Sequence, residues 1–388
     1  MKILSMAWTI YDNRLQEFYN NYSGGGLAIK NICEYIGRIH ESYLFIGKFK
    51  MPELELGNIH IVNTISYPDI KDDDIDDNKK HLRTMALAFE NTIEKIQPDI
   101  VNFHGIGELM QRCIKICINR NIPYVYTDHL YISVDTQIQG YDTNIKWEKQ
   151  IYNIPEIKVI TVSTGMKKKV LQDFPHVPPE NISVIKNGTD FIAEKIDGDL
   201  KEKYLLKDKK VLLCVGTLNH RKNQCQIVKA FQLLSPTMQD SVKVLFCGKD
   251  SMKGTLQESI MNAGLQDKLI YVGAVSSEEM KKYYSVADGL IMPSYAEGLS
   301  IAALEAIAYG LPVIMFQNSE CADDLNDEKV VCFARERSDE CLAETIRDWY
   351  ETQWDREYIL EYAKYFSMER VADEYIEYYK NMLTTESE

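Results

Sequence analysis

Two carboxylates stand in otherwise apolar surroundings within residues 289–316, GLIMPSYAEGLSIAALEAIAYGLPVIMF. They are Glu297 and Glu305, with seven residues between them. A carboxylate in such a setting is costly unless it is hydrogen-bonded or paired. The run Gly289 to Met292, ended by Pro293, predicts a short buried strand. Residues 294–299 then form a loop, Ser300 is the N-cap, and Ile301 to Tyr309 is a helix apolar on nearly every face. Gly310 suits the left-handed position past a helix end, Pro312 blocks continuation, and Val313 to Phe316 opens the next strand. Helical side chains lean toward the N-terminus, so Glu305 reaches back to the helix start over which Glu297 hangs. Between the two acids lie the free amides of about Leu299 to Ala302 and the positive end of the helix dipole. A helix start at the C-terminal end of a strand is a phosphate site. Acids beside it suit a ligand that also offers hydroxyls. A nucleotide sugar fits: phosphates on the amides, a ribose diol on one Glu, a hexose hydroxyl on the other. The alternative is structural, with Glu297 capping the helix and Glu305 paired to a cation in the core.

These elements sit in a chain of 388 residues, long enough for two domains. Net charge is −14, which argues against a nucleic-acid binder and against tight adsorption to anionic membranes, leaving at most peripheral association. Nine scattered Cys, an odd number, suggest reduced thiols in a cytoplasmic protein. Cys113 and Cys117 are four apart, but no second ligand pair follows, so no metal site is expected. The first eight residues lack the basic start of a signal peptide, and no apolar run reaches the roughly 18 residues of a membrane span.

The first half alternates strand and helix. Lys2 to Trp8 reads as a strand, the glycines after Ser23 (Gly24, Gly25, Gly26) as a turn, and Leu27 to Ile39 as a helix. That geometry brings backbone close to a phosphate, although the dinucleotide pattern G-x-G-x-x-G is absent. Residues 69–77 are acidic and read as a solvated loop. Asp99 to His104 and Pro123 to Thr127 are strands that run into His104 and His129, at the strand ends where open α/β sheets place ligands. Either His could equally be a structural hydrogen-bond donor. Lys167, Lys168 and Lys169 read as a solvated helix face.

Composition resets after a polar stretch, 193–209, read as a linker. Lys210 to Val215 is a new first strand, followed by GTLNHRKN over 216–223. Lys222 and Arg221 there are cations near a helix start, where a surface cation is unfavourable with the dipole. Strands Val242 to Cys247 and Leu269 to Val272 end at Gly248 and Gly273. A helix over Ser277 to Val286, with Ser277 as its N-cap, leads into the stretch that carries the two acids. Tyr358 to Met382 reads as a Tyr-rich helical tail. The whole predicts two doubly wound parallel sheets of about six strands each, facing one another across a cleft.

The segment E-G-L-S-I-A-A-L-E followed by A-x-A-x-G-x-P-V closely resembles the donor-site signature of the retaining glycosyltransferases of family 4, which have the GT-B fold. Residues 216–223 resemble the family's G-R-L-x-x-x-K-N, with Thr217 where Arg is usual and Arg221 as the substitute charge. Residues 186–190 resemble its N-G-V-D. Beyond Phe316 the match loosens, with 317–321 (QNSEC) in place of a Gly-rich turn.

The resemblance implies an acceptor-side domain over 1–192, a donor domain over 210–360 and a last segment, 361–388, crossing back onto the first domain. It implies Glu297, His129 and Lys222 as catalytic residues. Gly25, Gly26, Arg221, Lys222, Gly248, Gly273, Gly298, Leu299, Ser300 and Glu305 would bind the donor, a UDP-sugar first of all. His104 would support the cleft wall. No metal and no resident cofactor are implied. The partners would be a nucleotide-sugar donor and a glycan, lipid-linked or protein acceptor, and a homo-oligomer is compatible. A nucleotide-sugar epimerase and a silent nucleotide-sugar-binding subunit are the alternative readings.

Overall fold

Runs of β-branched and aromatic residues bounded by Gly, Pro and Asn make the strands, and amphipathic segments between them return the chain. The computed structural model describes residues 1–12, 14–15, 24–48, 53–62, 77–131, 141–194, 196 and 199–385. The acidic stretch 69–76 and Ser23 lie outside them. Among the described residues the first half contributes strands Lys2–Ala7 (β1), Glu41–Ile46 (β2), Leu54–Leu56 (β3), Ile59–Ile61 (β4), Ile100–His104 (β5), Tyr124–Asp128 (β6), Val159–Thr161 (β7) and Ile182–Val184 (β8). They form one sheet in the order β3-β4-β2-β1-β5-β6-β7-β8. Every pairing is parallel except β3 with β4, a short antiparallel hairpin at the edge. That hairpin is why the sheet exceeds the expected six strands, since β3 carries too few residues to show a period.

The second half contributes Lys210–Val215 (β9), Val242–Cys247 (β10), Leu269–Gly273 (β11), Gly289–Met292 (β12), Val313–Phe316 (β13) and Val331–Ala334 (β14). Their order, β11-β10-β9-β12-β13-β14, is the doubly wound arrangement. The direction in which successive strands are added reverses between β9 and β12, which run parallel and pair over only two residues, Leu212 with Gly289 and Leu213 with Leu290. The loops leaving these two strands therefore diverge and open a crevice. In the first sheet the matching point lies between β1 and β5, next to β6.

The glycines 24–26 form no turn. They are the first turn of the helix Gly24–Ile36, and Gly26 is buried in it. The expected N-cap Ser277 is likewise one residue late: Ser276 caps the helix Ser277–Val286 in a reciprocal box with Glu279.

The C-terminal tail is broken, not continuous. A helix Arg356–Ala363 and a single 3₁₀ turn Lys364–Phe366 precede the last helix, Met368–Thr385. Ser367 is extended, and the strand-like segment around Thr189 pairs there, with the Thr189 amide donating to the Phe366 carbonyl at 2.9 Å. The last helix then packs on the first sheet, burying Val371, Tyr375 and Tyr379 against Ile3, Ile32, Ile36 and Ile100. Each such side chain contributes roughly 1.5–3 kcal/mol. A second suture joins the halves beside the crevice. Thr164 donates through its amide and its hydroxyl to the buried Asp324, both at 2.7 Å, and Lys168 pairs with Asp323 at 2.8 Å.

Candidate active site

Between the strand ends of the two sheets lies a cavity of about 500 Å³. The first half lines it with Tyr11, Gly24, Gly25, Leu27, His129, Leu130 and Asn187. The second half lines it with Gly216, Thr217, Asn219, Arg221, Lys222, the run 297–302 and Glu305, among others. Two helix starts converge here, Gly24 of one half and Ile301 of the other. A methyl group built on Gly24 would lie 3.8 Å from the Ile301 side chain. Both ends carry positive dipole charge, so the cavity favours an anion.

Glu297 anchors the charged wall. It is buried, with Lys222 Nζ 2.5 Å and Arg221 Nη1 3.2 Å from its Oε1. The Lys222 contact is an ion pair and not an aligned hydrogen bond. Burial pushes the Glu297 carboxyl up, but the two cations outweigh it and hold the group at about 2. It is therefore ionised throughout the physiological range. Arg221 also donates to the Ala296 carbonyl at 2.6 Å, and Asn219 Oδ1 accepts from the Lys222 amide at 2.9 Å. The loop and its cations are thus built as one unit.

Glu305 behaves in the opposite way. It is buried with no cation paired to it among the described residues, and Tyr284 donates to its Oε2 at 2.8 Å. Burial pushes its carboxyl up to about 8, the charge of Asp190 adds to the rise, and the Tyr284 hydrogen bond only offsets part of it. The pairing with a core cation that the sequence left open is absent among the described residues. Glu297 does not cap the helix either. Ser300 holds the N-cap position in extended conformation, yet its side chain makes no capping bond. The first intrahelical bond runs from the Leu304 amide to the Ser300 carbonyl, so the amides of residues 300–303 precede the ladder.

The first half presents neutral groups. His104 and His129 face each other, with His104 Nδ1 3.0 Å from His129 Nε2. Burial depresses both imidazoles, His129 to about 4, and their mutual repulsion lowers His104 further. His129 lines the cavity, while His104 sits behind it, 1% exposed. Gly298 is one contact point of the halves. A Cβ there would fall 2.3 Å from the His129 carbonyl oxygen, so only glycine lets the two backbones meet.

Three of the expected donor-binding residues stand off the cavity. Gly26 is buried in its helix. Gly248 packs on the second half's own backbone, where a Cβ would meet the Gly216 carbonyl at 2.0 Å, and it bonds to Gly273 at 2.7 Å. These two glycines serve the β9–β10–β11 strand ends. In exchange, the structure adds residues that sequence reasoning passed over. Glu320 accepts from the Glu297 amide at 3.1 Å, and Arg337 donates to the Ser294 and Tyr295 carbonyls at 2.6 and 2.9 Å. Glu320 follows β13 at a strand C-terminal end, a signal that could have found it. Arg337 lies far along the chain and gave none. Asn187 had a signal in the N-G segment but no assigned role.

Two Rossmann-like halves closing a cationic crevice define the GT-B class of glycosyltransferases. Residues 22–191 match the family model Glycosyltransferase Family 4, and residues 197–366 match Glycosyl transferases group 1. This chain belongs to the family-4 type of glycosyltransferases. An uncharacterized glycosyltransferase from Methanocaldococcus jannaschii is 25% identical over 420 residues, covering 98% of each chain. The O-antigen chain mannosyltransferase RfbU of Salmonella typhimurium is 34% identical over 161 residues, 40% of this chain and 41% of that one. In fold, the chain is similar to sucrose-phosphate synthase from Thermosynechococcus elongatus, with TM-score 0.73 at 16% identity over 99% of this chain and 100% of that one. Anabaena HepE in complex with UDP-glucose gives 0.72 at 14% identity over 98% and 100%.

Proposed function

We propose that this glycosyltransferase moves a hexose-type sugar from a nucleoside-diphosphate donor, a UDP-sugar first of all, to a glycan, lipid-linked or protein acceptor, with retention at the anomeric carbon. The observation that carries this reading is the Glu297–Lys222–Arg221 cluster set against an uncapped helix start. An incoming diphosphate competes with Glu297 for Lys222 and Arg221, and the amides near Leu299 and Ser300 take its oxygens. These groups stabilise the charge that grows as the sugar–phosphate bond breaks. Glu297 is then released to hold a sugar hydroxyl, and His129 faces the sugar or its phosphate. Glu305, holding its proton near neutrality, meets the ribose hydroxyls.

The cavity's two carboxylates are thus an ion-paired one and a protonated one, and neither suits a general base. That supports front-face transfer. The acceptor oxygen bonds the anomeric carbon on the face the diphosphate leaves, and the acceptor's proton passes to the departing phosphate oxygen. The two cations supply the countercharge in a metal-independent scheme. We place the reaction in the cytoplasm, a reading supported by nine free thiols. Separately, among the described residues no helix is long and apolar enough to cross a membrane.

The test is a thermal-shift screen of UDP-, GDP- and ADP-sugars followed by transfer assays with the best binder. One donor should raise Tm, by the linkage of binding to stability. Released diphosphate should then appear only with acceptor present. Conversion of donor without acceptor would mark an epimerase, and binding without turnover a silent subunit.

A further inference from the structure

We propose that Arg337 and Glu320 are positioning residues for transfer: they grip the backbone of the loop 294–297 and hold Glu297 in place once its two cations have turned to the diphosphate. The inference rests on the nucleotide-sugar reading above and deepens it. Residues 294–297 lie in neither helix nor strand, so no ladder of their own fixes them. Groups from three other strand ends do so instead. After β14, Arg337 donates through Nη1 to the Ser294 carbonyl at 2.6 Å and through Nη2 to the Tyr295 carbonyl at 2.9 Å. After β13, Glu320 Oε2 accepts from the Glu297 amide at 3.1 Å. After β9, the Arg221 carbonyl accepts from the Tyr295 amide at 2.8 Å. Arg337 and Glu320 both stand outside the cavity lining.

These contacts fix direction as well as position. A guanidinium is planar, and two of its donors on successive carbonyls orient the loop as a single donor could not. The Arg337 guanidinium itself lies over two rings, 5.6 Å from the centre of Tyr295 and 5.0 Å from that of Phe316. Tyr295 also stacks on His220, with ring centres 5.2 Å apart and planes 14° from parallel. Glu320 adds a charge-assisted bond at the very residue whose side chain enters the cavity. It belongs to the segment 317–321 that stands in place of a Gly-rich turn, and glycine has no side-chain oxygen to offer that amide.

The need for such a grip follows from the ion pairs. Without donor, Lys222 and Arg221 orient the Glu297 carboxylate. A bound diphosphate takes those cations, and the carboxylate must then keep its bearing on the sugar through its own backbone. A displacement of about 1 Å in a reacting site costs on the order of a hundredfold in rate. Arg337 and Glu320 hold backbone groups and not the cations, so their grip persists when the donor binds.

The experiment compares the full chain with Arg337→Ala, Arg337→Lys, Glu320→Ala and Glu320→Gln. It reads the transfer rate at saturating donor, the calorimetric affinity for the nucleoside diphosphate, and amide hydrogen exchange over residues 294–299. In Arg337→Ala the rate should fall about tenfold or more while diphosphate affinity stays within about threefold, since the lost placement matters only as the sugar reacts. Arg337→Lys keeps the charge but reaches one carbonyl, and its rate should fall between those of wild type and Arg337→Ala. Glu320→Gln still offers an oxygen to the Glu297 amide, so it should recover most of the rate that Glu320→Ala loses. Exchange over 294–299 should quicken in both alanine variants. The proposal is overturned by a rate near wild type in Arg337→Ala, by a diphosphate affinity that falls as far as the rate, or by a Glu320→Gln as impaired as Glu320→Ala. If wild type transfers sugar from no donor, the transferase reading fails instead. The grip is then judged on exchange alone, and unchanged exchange in both alanine variants sinks it.

Discussion

The two walls of the cavity are built from different physics. The second half brings fixed charge: Glu297 against Lys222 and Arg221, braced by Glu320 and Arg337. Among the described residues the first half brings no ion to the cavity lining: it supplies Tyr11, two leucines, glycine backbone, a neutral imidazole and an amide. A charged wall with its ions already paired is suited to one constant feature, the diphosphate. A neutral wall of donors and acceptors is suited to reading hydroxyls, which differ from sugar to sugar and acceptor to acceptor. The comparison teaches that the halves divide labour by dielectric cost. Ions are placed where a hydrogen-bonded loop holds them, and weak polar groups on the opposite wall.

The strongest way to break this division is Glu297→Gln. The substitution keeps shape and removes the charge that the two cations face. Transfer should fall on the order of a hundredfold or more, because the hydroxyl contact matters only once the donor reacts. Nucleoside diphosphate affinity should stay within about tenfold or rise, since Lys222 is freed for phosphate. Steady-state kinetics and calorimetry read the two quantities separately. Turnover close to wild type would remove Glu297 from the mechanism.

Lys222→Ala is the complementary change, with a smaller effect. The diphosphate should bind more weakly by roughly tenfold or more, and the bare nucleoside by little, because only the former carries the charge that Lys222 meets. Equal loss for both would mean that the lysine merely supports the loop. The variant also leaves Glu297 with Arg221 alone at 3.2 Å, so its melting temperature should fall as well.

This asymmetry explains how much of the molecule was legible. The second half was readable because its chemistry is local. Glu297, Ser300 and Glu305 lie within nine residues, and β9, β10, β12 and β13 have the bounds expected from their apolar runs. The first half reaches the site through residues far apart in sequence, so its signals were scattered: the strand-end histidines, the glycines 24–26 and the N-G segment. Asn187 matters through the Leu299 carbonyl, 112 residues away, and no periodicity encodes such a contact. Gly248 packs on its own half's backbone, and a glycine after a strand is the same letter whether it meets a ligand or backbone. The glycines 24–26 misled because a helix can begin on glycine when its start must stay clear for something else.

The finest distinction between the walls is in their protons. Glu305 has its carboxyl raised from 4.5 to about 8, so between those values the folded chain holds a proton that the unfolded chain releases. Its contribution to stability is fully present below about 4.5 and is lost as pH rises through about 8. The imidazoles of the opposite wall have the reverse sign. His129 falls from 6.5 to about 4, so its contribution is present above 6.5 and is lost as pH falls through about 4. Melting temperature against pH should therefore carry two separable limbs. Glu305→Gln, which keeps the Tyr284 partner, should flatten the decline toward pH 8 and leave the acid limb alone. The double change His104→Asn with His129→Gln keeps polar atoms near the facing nitrogens, and should flatten the acid limb between 6.5 and 4 while sparing the other. If both variants shift the whole curve without changing either slope, the two walls do not differ in proton affinity, and the contrast drawn between them rests on the ion pairs alone.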